Sequence, residues 1–171
     1  MFKAEELISM GITHWGVITP SDVVFSDEVR RICEGNVCTN YGKTWACPPG
    51  VGTLEECKTQ ILKFTHAMVF ASVYELEDSF DFEGMQEGHR QFKEVCDRLY
   101  EQVQVPHLLL SNEGCKRCAK CTYPDAPCRF PEKLFPSVEG YGILVNKLAE
   151  SAGIPYIAGT DTVTYFGMLC W

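Results

Sequence analysis

The chain has 171 residues, 46% of them hydrophobic and 12% aromatic, with 15 Lys and Arg against 23 Asp and Glu for a formal net charge of -8. This suits one domain with a real apolar core and excludes a disordered chain, while an acidic balance without a long basic stripe excludes general nucleic-acid binding. Acids follow Met1-Phe-Lys-Ala where a signal peptide would turn apolar, and no apolar run approaches the ~20 residues of a spanning helix, so the expectation is a cytoplasmic protein that meets no membrane.

Residues 3–10 read as a short helix stopped by Gly11, and Thr13-His-Trp-Gly-Val-Ile18 reads as a strand ending before Pro20. Ser26 caps a helical turn through Val29 and Ile32 that delivers the chain to a first cysteine loop, residues 33–52. This loop spaces Cys33, Cys38 and Cys47 as C-x4-C-x8-C and ends Trp45-Ala-Cys47-Pro48-Pro49-Gly50-Val-Gly52. Pro48 pushes Cys47 into an extended conformation and the two prolines withhold backbone donors, so the segment is a shaped loop. Three thiolates are one ligand short of a closed zinc site or a fully ligated cubane. The fourth is borrowed from Cys128, is not a cysteine, or is absent, leaving one iron open.

Thr53-Leu-Glu-Glu56 has the capping-box form, and Leu54, Cys57, Ile61 and Leu62 follow at helical spacing, which makes Cys57 a packing residue. Ala67–Tyr74 is an apolar, β-branched run expected to form a central strand. The acidic stretch 75–83 reads as a solvated loop, and a long amphipathic helix follows from about Gly84 to Val103 with Phe92, Val95, Cys96 and Leu99 on its apolar stripe. His107-Leu-Leu-Leu-Ser111 is the next strand and leads into a second cysteine loop, residues 114–131. Beyond it, Ser137 is expected to cap a helix carrying Tyr141, Leu144, Val145 and Leu148 inward and stopped by Gly153. Residues 155–158 and 163–169 then read as two strands around a Gly159-Thr-Asp161 turn, with Cys170 in the core. His14, His66, His89 and His107 lie outside both cysteine loops and read as structural or surface residues.

The second loop carries the strongest chemical signal. Cys115, Cys118, Cys121 and Cys128 fall within fourteen residues. Thiolates packed this closely repel unless a cation holds them, and C-x2-C-x2-C is the spacing by which ferredoxin loops wrap a 4Fe-4S cubane. Zinc is the rival, although structural zinc sites favour two separated C-x2-C pairs; unmetallated thiols are the third alternative. Lys116, Arg117, Lys120 and Arg129 surround these cysteines, with Asp125 the one acid among them. Such a collar would stabilise a negatively charged cluster and raise its potential, or it is a solvated basic loop that recognises an acidic partner.

The order of elements implies an α/β single domain: a mixed four- to five-stranded sheet, packed by helices, with two metal-binding loops. If the strands before the two loops run parallel, both loops emerge at one carboxyl edge and seven cysteines meet there. Cys33, Cys38, the Tyr41-Gly42 pair, Trp45-Ala-Cys47-Pro48-Pro49-Gly50-Val-Gly52, the C-x2-C-x2-C run, Cys128-Arg129-Phe-Pro131 and Ser137-Val-Glu139 together resemble a cysteine-rich family of unknown function described as predicted metal-binding proteins. The resemblance covers most of the chain and implies a cytosolic iron-sulfur protein of anaerobic metabolism, without supplying a catalytic residue.

Three functions compete on this reading. The first is a redox module with one or two 4Fe-4S clusters and a partner protein as electron donor or acceptor. The second is an enzyme with an open-coordinated iron, and the third a zinc-stabilised binding or scaffold protein. A homodimer sharing clusters between its chains is compatible with each.

Overall fold

A computed structural model describes residues 2–171. Four strands, β1 (His14–Ile18), β2 (Ala67–Glu75), β3 (Leu108–Ser111) and β4 (Thr162–Cys170), form one sheet in the order β1-β2-β4-β3. Five helices accompany them: α1 (Ala4–Ser9), α2 (Asp27–Glu34), α3 (Leu54–Ile61), α4 (Phe82–Gln102) and α5 (Val145–Ser151).

Side chains alternate across β2 and β4 with period two, so each strand feeds two cores. Val69, Ala71, Phe166, Met168 and Cys170 join Cys57 and Ile61 of α3 and Leu148 and Ala149 of α5 on one face. Met68, Phe70, Tyr165 and Leu169 join Leu7 of α1 and Phe92, Val95, Cys96 and Leu99 of α4 on the other. Cys57, Cys96 and Cys170 are fully buried packing residues, as their helical and strand positions predict.

The α/β class and the single sheet agree with expectation, but every strand pair is antiparallel. The misleading signal has a physical origin. Strands buried on both faces read as continuous apolar runs, as parallel strands do, and here helices cover both faces of an antiparallel sheet. Moreover, β2, α4 and β3 form a split β-α-β unit: β2 and β3 point the same way, and β4 lies between them, antiparallel to each. Two other expectations fail. Residues 155–158 are not a strand, so the sheet has four strands and lacks the final hairpin. The last helix begins at Val145 instead of after Ser137, because residues 137–143 serve other bonds: Ser137 bridges Ser111, Ile143 bridges Phe25, and Gly142 turns at φ 74°.

Among the described residues, no helix is long and apolar enough to cross a membrane.

Candidate metal centre

Because the sheet is antiparallel, β1 ends beside Ala67 while β3 ends beside Gly167, so the two cysteine loops do not leave a common edge. They meet nonetheless, because α2 carries the chain back. The Ser26 hydroxyl caps α2 by accepting from the Glu28 amide at 3.2 Å. Arg30 then pins the helix, donating to the Gly140 carbonyl and to the Gly52 carbonyl, each at 2.6 Å. That guanidinium fixes the helix that presents Cys33.

The first loop folds against the second, and against the segment after it, at several points. The Ser137 amide donates to the Ala46 carbonyl at 2.8 Å, and Trp45 Nε1 donates to the Ala126 carbonyl at 3.1 Å. The Trp45 ring meets Tyr123 edge-on with centroids 4.8 Å apart. Closest of all, Gly114 backs onto the sulfur of Cys47, so that a Cβ there would stand 2.8 Å from it.

Within this junction the cysteines form two adjoining groups. Cys33, Cys38 and Cys47 line a cavity of about 280 Å³ together with Glu113 and Glu139. Cys115, Cys118, Cys121 and Cys128 line a cleft of about 20 Å³ beneath Trp45 and Phe130. Cys128 therefore sits with the second group. It is returned there by the turn in which Thr122 Oγ1 donates to the Pro127 carbonyl at 2.8 Å and the Ala126 amide to the Thr122 carbonyl at 3.0 Å.

Electrostatics separate the groups. Burial pushes the Cys47 thiol up to about 11, against a Thr44 hydrogen bond, with Cys38, Cys33 and Glu139 adding like-charge repulsion. Cys33 is raised by burial and then by Cys38 and Glu139, with Arg30 opposing. Cys115 is raised by burial and pulled back by the Arg117 backbone and guanidinium. Without a cation these sulfurs hold their protons; with one, they become thiolates.

The basic residues divide. Arg117 and Arg129 line the thiol cleft, whereas Lys116 faces a separate cavity against α4 and Lys120 lines neither. Arg117 is also a clamp, with Nη2 on Asp97 Oδ1 at 2.5 Å, Nε on the Lys133 carbonyl at 3.2 Å and Cζ 5.6 Å from the Phe135 ring centroid. Arg129 Nη1 donates to the Lys120 carbonyl at 2.9 Å, closing loop II on itself.

Sequence reasoning did not identify Glu139. Its carboxylate accepts from Ser137 Oγ at 2.7 Å and from Asn112 Nδ2, and Asn112 is itself held by the Phe166 amide. A carboxylate fixed this firmly beside three cysteines is a ready fourth donor. Its only advance sign is its place in the Ser137-Val-Glu139 segment.

The family model described as "Predicted metal-binding protein (DUF2284)" matches residues 16–170. The chain belongs to this family. Comparison with curated proteins and with solved structures finds no significant match. Members of this family are read as metal binders, and the donor set here fits that description: seven sulfurs and one anchored carboxylate in two adjoining groups. Among the described residues, no three Cys, His, Asp or Glu side chains converge on a single-ion position.

Proposed function

We propose that the protein carries an iron-sulfur cluster on Cys115, Cys118, Cys121 and Cys128 and serves as a redox or accessory module that exchanges electrons with a partner protein. The observation that carries this reading is the gathering of those four cysteines around one cleft that Arg117 and Arg129 also line and whose described lining includes no His, Asp or Glu. When bound, the cluster supplies reversible one-electron chemistry. The chain's own residues do the rest. Arg129, which has no carboxylate partner among the described residues, offsets part of the negative charge of four thiolates and raises a reduction potential, while Trp45 and Phe130, which line the cleft and limit water there, act in the opposite direction. Cys118, Cys121 and Cys128 are only partly buried and Lys120 and Arg129 are exposed, which leaves a basic edge open to a partner.

Cys33, Cys38 and Cys47, with Glu139, form the second centre on this proposal. Three sulfurs and one weaker oxygen donor suit a site that exchanges its fourth ligand, in line with the alternative of an open-coordinated iron.

One observation favours a second reading. The loop II cleft of about 20 Å³ is too small for a cubane unless the loop opens, whereas a zinc ion, the smaller occupant, needs only that the sulfurs draw together, since no three of them converge on a single-ion position among the described residues. Iron, zinc and acid-labile sulfide analysis of protein purified without oxygen separates the two. Iron and sulfide near four per chain indicate one cubane and near eight indicate two. Zinc without sulfide replaces the redox reading by a scaffold.

A further inference from the structure

A cavity of about 430 Å³ lies between α4 and the start of loop II and adjoins the thiol cleft, with which it shares Cys115, Arg117 and Lys133. Its wall is unusually cationic for an acidic chain, and the pairing of those charges decides its character. Arg90 is bound by Glu87 and Glu94, Arg117 by Asp97, and Lys133 by Glu101. Those cations are neutralised by carboxylates of the protein itself. Two remain. Lys93 donates to Ser111 Oγ at 2.6 Å and to the Asn112 carbonyl at 2.5 Å, both uncharged acceptors, and among the described residues it has no ion-pair partner within 4.0 Å. An ammonium has three donors, so one is left over. Lys116 is exposed at the rim and makes no hydrogen bond or ion pair among the described residues.

The third feature is independent of charge. His89 is 3% exposed, yet its Nε2 has no hydrogen-bond partner, and the ring lines this same cavity. The one carboxylate within 4.0 Å of it among the described residues, Glu113, stands at 3.8 Å, which is beyond hydrogen-bond reach. A buried polar atom left unpaired is costly, so its place beside this cavity calls for a partner within it, a bound ligand or water.

We propose that this cavity binds a small organic anion whose carboxylate or phosphate group sits against Lys93 and Lys116 and supplies the missing partner of His89 Nε2. The three contacts come from two elements, α4 for His89 and Lys93 and loop II for Lys116, so a bound anion ties them together. The volume exceeds what one inorganic oxyanion fills and matches a metabolite-sized ligand. Cys115 lines the cavity too, which places the ligand beside a sulfur of the candidate metal centre. The inference stands on the cavity and its unpaired groups, whichever metal loop II holds.

The test is isothermal titration, at low ionic strength, of protein purified without oxygen, using sodium orthophosphate, succinate and the neutral succinamide. Wild type is compared with Lys116→Gln, His89→Gln and, as a control outside the cavity, Lys147→Gln. At least one anion should bind saturably at one site per chain and succinamide should not. Affinity should fall about tenfold or more in Lys116→Gln, where an exposed side chain is changed and folding is preserved. It should fall also in His89→Gln, and stay unchanged in Lys147→Gln. A preference for orthophosphate or for succinate identifies which anionic group the site takes. Failure of both anions to bind, equal binding of succinamide, or undiminished binding in Lys116→Gln would overturn the proposal.

Discussion

Gly114 and Cys47 join the two cysteine loops. Gly114 has φ 70°, in the left-handed region, and a Cβ there would meet the Cys47 sulfur at 2.8 Å. Gly114→Ala therefore combines backbone strain with a clash inside the junction. It should destabilise the protein by roughly 1–3 kcal/mol and lower the metal content of both groups, as read by urea unfolding and metal analysis. Wild-type stability with full metal content would show that the junction tolerates a methyl group.

Cysteine substitutions should sort by location. Cys118→Ala or Cys121→Ala should lose the metal of loop II and lower the thermal midpoint, since binding energy at such a site is also folding energy. Cys96→Ala removes only a buried packing atom group between α4 and the sheet, should cost about 1 kcal/mol, and should leave the metal in place. Metal loss from the Cys96 variant would mean that the α4 core and the metal centre are coupled.

Arg30→Ala removes two hydrogen bonds from a charged donor to backbone carbonyls and a longer one to Cys57 Sγ at 3.9 Å, and leaves the Gly52 and Gly140 carbonyls without that partner. Destabilisation of roughly 2–3 kcal/mol is expected. Because Arg30 fixes the helix that presents Cys33, metal bound at loop I should weaken, while metal at loop II should persist; loop-specific loss is measurable by titrating a chelator against each variant.

The metal-free protein should be most stable near neutral pH. Burial raises the Cys47 thiol to about 11 and those of Cys96 and Cys170 to about 12, all from an ordinary 9.0. These groups hold protons more tightly when folded, so their contribution is full below pH 9.0 and is lost as pH rises through 11 and 12. His89 acts in the opposite direction. Burial, then Lys93 and Lys116, hold its imidazole down to about 4 from 6.5, so its contribution is present above 6.5 and disappears as pH falls through 4. Urea midpoints should fall on either side of about pH 7.5; a flat profile would mean that these groups are solvated in the folded chain.

The legible parts of the sequence were those where local and tertiary demands agree. The Thr53 capping box starts α3, the Phe92, Val95, Cys96 and Leu99 stripe faces the sheet, and the apolar run at Ala67 is an interior strand, all as their spacing predicts. The errors lie where tertiary contacts decide. Ser137 does cap a turn, its hydroxyl accepting from the Gly140 amide at 3.1 Å, but Gly142 at φ 74° ends that turn and the helix starts only at Val145. Strand direction is invisible in residues buried on both faces, and the meeting of the two loops depends on Arg30, whose partners are backbone carbonyls with no sequence signature. Spacing also left Cys128 unassigned, because the turn through Thr122 and Ala126 that returns it to Cys115 is set by local hydrogen bonds. Glu139 carries no signal of its role for the same reason, and His89, which reads as a structural or surface residue, is buried; only the fold gives the one its neighbouring sulfurs and the other its empty partner position.

Electron paramagnetic resonance of protein purified without oxygen, before and after dithionite, tests the central claim most directly. A redox centre on Cys115, Cys118, Cys121 and Cys128 predicts a paramagnetic signal that appears on one-electron reduction, disappears on reoxidation and is lost in Cys118→Ala. A colourless protein that retains zinc and gives no signal in either state would contradict it.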